Sequence, residues 1–439
     1  MTFNKSNIVK YMEINQLKTV ILDQREEIEL QLKTSIKRDV DLVKIKKYLS
    51  HPNILIISGV RRCGKSTLAA MALEGENFAH INFDDNELLN FKDQDFNKLM
   101  QAFYEIYGSD VEYFIFDEIQ NIPGWELFAA KLRRTKKVII TGSNANLLSM
   151  ELSTHLTGRH IDYYLMPFSF AEYLRYQGVN YKPNDIFVTK KKAQINQHLN
   201  QYIKLGGFPE VYKFGDVMAE NIFDDIINKD VLIRKQIKYK AEFKKIAAYL
   251  LANYSQEFTY SKLKNVFDIK NVQTLKNYIE YLRESYLIFI LERFSYKLKQ
   301  QIIAPKKIYA IDNALLGKTS AEFSDNIGKK IENIVFLELM RREARDGKKK
   351  TIFYFQDHAG REVDFVVKNG KKVAKLIQVA YSLAQIKTKE RELASLLIAS
   401  EQLTCDNLCI VTMEEEGNEE IDGKKIKIIS LSQFLLDVE

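Results

Sequence analysis

A glycine-rich loop that ends in lysine and serine is the first stretch of the sequence with a recognisable chemistry. Gly59, Gly64, Lys65 and Ser66 have the spacing G-x-x-x-x-G-K-S within NILIISGVRRCGKSTLAAMAL. Glycines let backbone N–H groups curl around phosphate oxygens, the lysine reaches the terminal phosphates, and the serine hydroxyl is a Mg²⁺ ligand. The pattern predicts a nucleotide-phosphate site. Its expected binding residues form one run: Gly59, Val60, Arg61, Arg62, Cys63, Gly64, Lys65, Ser66 and Thr67.

Two adjacent acids supply a second part of the same chemistry. Asp117 and Glu118 end the apolar run in VEYFIFDEIQNIPGWE, which follows the loop after one further strand–helix unit. In P-loop ATPases such an aspartate holds Mg²⁺ through its water shell, and the adjacent glutamate orients and deprotonates the attacking water. We therefore predict ATP hydrolysis with ATP and Mg²⁺ as cofactors. Ser66 and Asp117 are the expected metal residues, and Lys65 and Glu118 the expected catalytic ones.

Asn144 and Arg159 are two further polar candidates near the predicted site. Ser143 and Asn144 end the strand predicted in KKVIITGSNANLL, and ligands of open α/β sheets bind at that end of a strand. Asn144 could sense the γ-phosphate, or it could belong to a turn and helix cap. Arg159 precedes a strand predicted at Ile161–Met166. It could act as a catalytic arginine, within the chain or across a subunit boundary, or it could be an ordinary surface residue.

The elements that position these residues follow the pattern of an α/β sheet. One short apolar strand precedes the P-loop and another ends at the acidic pair. Three more are predicted in FAHINFDD, KKVIITGS and Ile161–Met166. The first fifty residues carry apolar side chains at helical spacing, so a helical segment should lead into the sheet.

The composition limits the alternatives. The chain has 439 residues, enough for about three domains, and 46% hydrophobic with 28% charged residues is ordinary for a soluble protein. Its apolar runs are far shorter than the roughly 20 residues of a membrane span, and no secretory signal is evident. Three cysteines point to a reducing cytosol. A net charge of +7 is compatible with nucleic-acid binding without indicating it.

A string of motifs in order resembles a known family. GVRRCGKST, FDEIQNIPGWE, ITGSNANLL, LTGRHIDYYLMPFSFAEYL and YIKLGGFPEV together resemble the AAA-type ATP-binding proteins of archaea and bacteria that carry a C-terminal domain similar to restriction endonucleases. The resemblance implies an ATPase sheet in which the glutamate strand lies beside the P-loop strand. It also implies a small helical lid, spanning roughly 165–235 here and holding GGFPEV (Gly206–Val211).

The middle of the chain resembles a winged helix-turn-helix. Three helical patterns precede IFILERFSYKLKQQIIAPKKIYAID, which is predicted to form strands joined by a basic turn. In that motif the third helix enters the major groove and the wing contacts phosphate. Double-stranded DNA is therefore an expected partner, although a winged helix can also bind proteins, with Tyr278 and Tyr281 facing the partner. The candidate DNA contacts are Lys270, Gln273, Lys276, Lys297 and Lys299.

The C-terminal part has the order of a restriction-endonuclease-like core with an incomplete site. Its helix–strand–strand–strand–helix order carries Glu332, Asp364 and Gln378. In that core two acids and a third residue bind Mg²⁺, and a lysine two positions on helps activate water. Here Gln378 replaces the acid and Ala380 replaces the lysine, so we expect the fold to be kept and DNA cutting to be lost. Active cutting would require a lysine from elsewhere.

The predicted fold class is α/β: an AAA-type parallel P-loop sheet with a helical lid, then a winged helix-turn-helix, then a restriction-endonuclease-like α/β domain. The expected function is a cytoplasmic ATPase that couples nucleotide state to DNA binding, without a membrane role and with a homo-oligomer as one possibility. The alternative is a nucleotide-switched protein-interaction module with slow hydrolysis and no DNA role. The expected regions are a helical lead-in (1–50), ATPase core (51–170), lid (171–238), winged helix (239–305) and nuclease-like domain (306–439).

Overall fold

The computed structural model describes residues 12–50, 52–143, 158–317, 326–345 and 350–438. The chain folds into two compact units. The first contains the chain up to Gly59 together with Gly64–Leu165. The second contains Val60–Cys63 and the chain from Met166 onward.

A five-stranded sheet organises the first unit. Its strands are β1 (Ile54–Ser58), β2 (Phe78–Asn82), β3 (Tyr113–Asp117), β4 (Lys137–Gly142) and β5 (His160–Tyr164). They run parallel in the order β2-β3-β4-β1-β5. The predicted parallel P-loop sheet is confirmed. The expected neighbourhood of the glutamate strand and the P-loop strand is wrong, because β4 lies between β3 and β1.

The helices of the first unit cover this sheet. They are α1 (Ile14–Thr34), α2 (Leu42–Tyr48), α3 (Lys65–Ala72), α4 (Phe96–Tyr107) and α5 (Trp125–Leu132), with 3-10 turns at Asn86–Leu88, Asp93–Asp95 and Ile119–Asn121. Helix α1 buries Leu17, Val20, Ile21 and Ile28, which recur at helical spacing, and it packs on β2, α3 and α4. The helical lead-in is therefore held to the sheet by its apolar face.

The second unit begins with a helical segment. It comprises α6 (Phe170–Tyr176), a 3-10 turn at Pro183–Phe187, α7 (Thr189–Leu205), α8 (Pro209–Phe214), α9 (Asp216–Asp225) and a π-helical stretch at Ile226–Ile233. This is the segment expected to be the lid, and its role as a lid stays a prediction. A backbone hydrogen bond from the Phe168 N–H to the Gly207 carbonyl joins the start of this segment to its middle.

Close packing accounts for the two glycines of GGFPEV. Gly206 has a φ of +71°, and a Cβ added there would lie 1.6 Å from Oδ1 of Asp312. A Cβ on Gly207 would lie 2.4 Å from the Phe168 carbonyl oxygen, and the Gly207 N–H donates to Oδ2 of Asp312 at 2.7 Å. A side chain at either position would push the backbone away from the buried Asp312, so only glycine fits.

The middle of the second unit has the order helix, strand, helix, helix, strand, short helix, strand. These are α10 (Lys240–Ala252), β6 (Gln256–Phe258), α11 (Tyr260–Val266), α12 (Val272–Glu284), β7 (Ile288–Glu292), α13 (Leu298–Ile303) and β8 (Lys306–Ala310). The strands form an antiparallel sheet in the order β6-β8-β7. Thr259 caps α11 by accepting from the Lys262 N–H.

Two details of this middle region differ from the sequence interpretation. The connection between β7 and β8, expected as a basic turn between strands, contains the helix α13. The expected region boundary at 305/306 falls immediately before β8, although β8 is hydrogen-bonded to both β6 and β7. The strand thus belongs to the middle sheet.

The last part of the second unit is built on a six-stranded sheet. Its elements are α14 (Ile327–Arg345), β9 (Lys350–Gln356), β10 (Glu362–Asn369), β11 (Lys372–Val379), α15 (Ile386–Leu403), β12 (Leu408–Thr412), β13 (Gly417–Ile421), β14 (Lys424–Ser430) and α16 (Leu431–Leu435). The sheet order is β13-β14-β12-β11-β10-β9. The predicted succession helix–strand–strand–strand–helix is observed in α14 to α15.

The cysteines and the apolar content of the helices can be compared with the expectations from composition. Cys63, Cys405 and Cys409 are buried and form no disulfide within the described residues, consistent with a role as small apolar side chains. Within the described ranges, no helix has both the length and the apolar character needed to cross a bilayer.

Candidate functional site

The P-loop of the first unit joins β1 to the N-terminus of α3. The Gly59 N–H donates to the Gly142 carbonyl at 3.3 Å, which fixes the start of the loop at the carboxyl end of the sheet. Gly64 precedes α3 with a φ of +93°, a conformation that a residue with a Cβ adopts only under strain. The backbone at Gly64 and the positive end of α3 thereby form an anion-binding cradle.

A lysine and two acids lie beside this cradle. Lys65, Asp117 and Glu118 are all buried, and the Lys65 Nζ lies 3.7 Å from Oε1 of Glu118. Asp117 ends β3 and accepts a hydrogen bond from the Thr141 hydroxyl. Glu118 follows with a φ of +51°. A non-glycine residue rarely adopts this left-handed conformation, and such conformations cluster at functional sites.

Hydrogen bonds fix the Glu118 carboxylate. Its Oε2 accepts from the Ser143 hydroxyl at 3.2 Å, from the Ser143 N–H at 3.4 Å and from the Gln120 side-chain amide at 2.5 Å. The other oxygen is the one that faces Lys65. The carboxylate is thus held in one orientation by β4 and by the turn after β3, with one oxygen directed to the P-loop lysine.

The donor set fits a Mg²⁺-bound nucleoside triphosphate. A Cβ at Gly64 would stand 3.5 Å from a guanidinium nitrogen of Arg38, and Ser66 and Thr67, whose side chains are half-buried, lie in the first turn of α3. Oxygen ligands from Ser66 and Asp117 are the type that Mg²⁺ takes, and it usually retains several waters. The structure brings Lys65, Ser66, Asp117 and Glu118 to the same edge of one sheet, as the sequence predicts.

Several residues of this site were not found from the sequence. Thr141 is the register partner of Asp117 across β3 and β4, so a correct strand order would have identified it. His80 on β2 is buried with its Nε2 3.7 Å from Oδ2 of Asp117, and neither ring nitrogen has a hydrogen-bond partner among the described residues. Arg38 is buried with a guanidinium nitrogen 3.5 Å from the point where a Gly64 Cβ would stand. No local motif marks Arg38, because it comes from the segment before the sheet.

Two other predicted site residues have different outcomes. Arg159 is exposed, and its carbonyl accepts from the N–H of Ile54, the first residue of β1. The P-loop leaves the opposite end of that strand, so the structure does not bring Arg159 to the nucleotide site of its own chain. A role across a subunit boundary stays a prediction. Asn144 lies outside the described residues.

The arginines of the loop sequence have carboxylate partners within the second unit. Arg61 contacts the fully buried carboxylate of Asp230 through two nitrogens, at 3.2 and 3.3 Å. Arg62 contacts Glu210 at 2.5 Å and Asp225 at 3.1 Å. Asp230 lies in the π-helical stretch, a geometry that is uncommon and is frequently found at functional sites. The Arg61 and Arg62 side chains are therefore held by protein carboxylates.

The predicted nuclease-like residues are brought together around a lysine that the sequence interpretation did not identify. The buried Lys307 Nζ lies 3.1 Å from Glu332, 3.3 Å from Asp364 and 2.5 Å from Glu362. Burial opposes its charge, but Glu332, Tyr309 and the other acids outweigh burial, so the pKa of Lys307 is held well above its usual value. Burial raises the pKa of Glu332 to about 7, against the attraction of Lys307.

Gln378 lies on the strand next to Asp364. Its carbonyl oxygen accepts from the Asp364 N–H at 3.3 Å, and its amide donates to Glu392 at 2.6 Å. Asp364 in turn accepts from the Val379 N–H at 2.9 Å. Both ends of the Gln378 amide are therefore used within the protein. In the described part of the chain, no group of three or more His, Cys, Asp or Glu residues is arranged to hold a metal ion.

The five candidate DNA contacts are all exposed. Gln273 donates to Asn277 at 2.9 Å on the surface of α12, and the Lys276 Nζ lies 5.5 Å from the centre of the Tyr260 ring. Tyr278, which the sequence offered as a partner-facing residue, is buried against Phe243 instead. Exposure leaves the following side chains available to a partner: Lys270, Gln273, Lys276, Lys297 and Lys299.

Comparison with known proteins agrees with this division of the chain. Residues 51–174 match the family model of an AAA domain. Residues 196–325 match a domain of unknown function, DUF8612, and residues 327–434 match another, DUF4143. Residues 51–174 therefore form an AAA-type P-loop ATPase domain, which includes both the P-loop and the acidic pair.

Full-length relatives are similar along nearly the whole chain. The uncharacterized protein MJ1544 of Methanocaldococcus jannaschii is 35% identical over 418 residues, covering 92% of this chain and 90% of that protein. This chain belongs to the same family. An uncharacterized protein of Haemophilus influenzae is 29% identical over 427 residues, covering 92% and 99% of the two chains. The family thus has members in an archaeon and a bacterium.

Among solved structures, the Walker-type ATPase PABY2304 of Pyrococcus abyssi is similar at 15% identity. The match covers 65% of this chain and 96% of that one, with a TM-score of 0.41. A likeness of this size carries no argument about function.

Proposed function

We propose that this family member hydrolyses ATP with Mg²⁺ at the P-loop edge of its parallel sheet. The observation that carries the proposal is the fixed position of Glu118, whose carboxylate is held by Ser143 and Gln120 and directed to Lys65. A general base must be positioned before its basicity can be used. A glutamate held by three hydrogen bonds next to a phosphate-binding lysine meets that requirement.

Each residue has a distinct part in this mechanism. The loop backbone and Lys65 would bind the β- and γ-phosphates, and Ser66 and Asp117 would hold Mg²⁺, which would supply charge neutralisation on the phosphate oxygens. Glu118 orients the attacking water and accepts its proton. Because phosphoryl transfer needs little covalent chemistry from the protein, positioning and charge are sufficient to accelerate it.

We further propose that nucleotide state is coupled to DNA binding through the middle and C-terminal regions. The middle region has the element order of a winged helix, and α12 and α13 expose basic side chains that suit phosphate contacts. The nuclease-like region would add a second surface.

Exposed apolar side chains favour a second candidate, the nucleotide-switched protein-interaction module. Helix α13 buries none of its residues, and Leu298, Ile302 and Ile303 are each more than half exposed. Apolar residues grouped on a surface are typical of protein contacts rather than of phosphate contacts. In this function the protein would hydrolyse ATP slowly, and no DNA would be involved.

The rate of ATP hydrolysis with and without duplex DNA separates the two candidates. The wild type is compared with Glu118→Gln, which keeps the shape of the side chain and removes the base. A DNA-stimulated rate that the variant loses supports the coupled ATPase. A slow rate that ignores DNA supports the interaction module. A Glu118→Gln protein that hydrolyses ATP at the wild-type rate would contradict the proposed mechanism itself.

A further inference from the structure

The acidic cluster around Lys307 does not fit the metal that its resemblance to nucleases implies. A divalent cation needs oxygen ligands at about 2.1 Å for Mg²⁺ and up to about 2.6 Å for Ca²⁺ around an open centre. Here the centre between Glu332, Glu362 and Asp364 is taken by the Lys307 ammonium. Gln378 brings no charge, and its amide is already hydrogen-bonded at both ends.

The number of donors matches the number of acids. An ammonium group has three N–H donors, and the three contacts of Lys307 go to three different carboxylates. A lysine that activated water beside a metal would need a donor directed at that water. The Lys307 side chain is only 3% exposed. The contacts therefore describe a buried counter-ion rather than a catalytic group.

The lysine comes from a different sheet than the acids do. Lys307 lies on β8 of the middle sheet, whereas Glu362 and Asp364 lie on β10 of the C-terminal sheet and Glu332 lies on α14. Tyr309, two residues along β8 and hence on the same face, donates its hydroxyl to Glu332 at 2.7 Å. Lys307 and Tyr309, on one face of β8, thus both contact this cluster.

We propose that Lys307 is the built-in cation of the nuclease-like cluster, filling the place of a divalent metal and tying the middle sheet to the C-terminal sheet. It follows that this region binds no divalent cation at Glu332, Glu362 and Asp364 and does not cut DNA by a metal-dependent route. In this arrangement the three acids hold a lysine and not a metal ion. Removing the lysine would leave three buried carboxylates that a metal ion could then bridge.

The test uses the full-length protein without nucleotide and compares Lys307→Met with Lys306→Met. Lys306 is the matched control, because it is adjacent on β8, points to the other face and pairs with Glu292 at 3.0 Å. Thermal unfolding is followed with and without Mn²⁺. We expect Mn²⁺ to leave the wild type and Lys306→Met unchanged, and to raise the melting temperature of Lys307→Met by about 5 °C or more when it is in large excess over its dissociation constant.

A folded Lys307→Met protein that Mn²⁺ does not stabilise would overturn the proposal. Adding Asp364→Asn to Lys307→Met should abolish the rescue by Mn²⁺, since it removes a charged ligand. If Lys307→Met does not fold alone, it is refolded with Mn²⁺, and failure to fold there too overturns the proposal. Stabilisation of the wild type by Mn²⁺ that Asp364→Asn abolishes would reveal an ordinary metal site. Cutting of plasmid DNA by the wild type with Mg²⁺ or Mn²⁺, lost in Asp364→Ala, would overturn it as well.

Discussion

Lys65 and Lys307 are both buried and both face carboxylates, but the two groups differ in what surrounds the lysine. Lys65 approaches Glu118 at 3.7 Å, beyond hydrogen-bond length, at a loop of glycine backbone and a helix N-terminus. Lys307 lies among three carboxylates from two different elements, with contacts down to 2.5 Å. The first arrangement is built to receive an anion, and the second already neutralises its own acids. A lysine near acids is thus a binding site in one region and an internal ion pair in the other.

The same substitution at both lysines should separate function from stability. Lys65→Met removes the cation that binds the β- and γ-phosphates, so we expect kcat/KM for ATP to fall by roughly 10²-fold or more, as for loss of one transition-state donor. Its unfolding free energy should fall by less than that of Lys307→Met, because Lys65 faces the Glu118 carboxylate at 3.7 Å whereas Lys307 contacts three carboxylates at 2.5–3.3 Å. Steady-state hydrolysis and urea unfolding measure the two effects. If Lys65→Met hydrolysed ATP at the wild-type rate, Lys65 would not be a phosphate-binding lysine and would not differ from Lys307 in function.

Lys307→Met should have the opposite effect. Breaking a buried ion group by removing one partner leaves uncompensated charge, which costs about 3–5 kcal/mol. We expect that loss in urea unfolding of the second unit without added metal, while the ATP hydrolysis of folded protein stays within about twofold of wild type. Lys306→Met, whose partner Glu292 is partly exposed, should lose no more than about 1 kcal/mol. Equal losses in the two variants would mean that the cluster is not the cause.

The pH dependence of stability tests the charge state of the cluster. Burial raises the pKa of Glu332 to about 7, although Lys307 and the Tyr309 hydroxyl favour its charged form and Asp364 opposes it. Because this folded-state pKa is above the unfolded value of about 4.3, the folded state binds more protons in between. The stabilisation from this group is present at low pH and is lost as pH rises from about 4 to 7.

Glu332→Gln is the variant that isolates this effect. It cannot titrate, so the difference in unfolding free energy between wild type and variant should shift by about 1–3 kcal/mol against the wild type between pH 4.5 and 7.5. Asp312, whose pKa burial also raises to about 7, is present in both proteins and cancels. Parallel pH profiles for the two proteins would show that Glu332 does not titrate in this range.

The two groups also differ in how far the sequence reveals them. The P-loop site is assembled from short motifs, each at the carboxyl end of its own strand, so Lys65, Ser66, Asp117 and Glu118 could be named from spacing alone. A strand before the P-loop was likewise predicted, and it is β1 (Ile54–Ser58). The order of the strands was not, because spacing along the chain does not show that β4 inserts between β1 and β3.

Lys307 could not be found in the same way. The nuclease-like pattern places its lysine two residues after Gln378, and that position holds Ala380. The cation comes instead from β8, which the expected boundary assigned to the start of the C-terminal region and which pairs with the middle sheet. Lys307 reaches Asp364 only because the middle sheet packs next to the C-terminal sheet in the folded protein. The sequence did show that the lysine expected at position 380 is absent, and the structure shows that Lys307 supplies a cation instead.

The smallest expected effect concerns the hydrogen bonds that hold Glu118. Ser143→Ala removes the hydroxyl that donates to Oε2 at 3.2 Å and leaves the Gln120 amide and the Ser143-position N–H in place. One such hydrogen bond to a charged group is worth about 1–2 kcal/mol, so kcat should fall roughly 5- to 30-fold. KM should stay nearly constant, because the hydroxyl orients the base and is not needed for phosphate binding. A rise in KM with kcat unchanged would instead make Ser143 a nucleotide contact. The orientation of the Glu118 carboxylate would then no longer be a difference between the group around Lys65 and the group around Lys307.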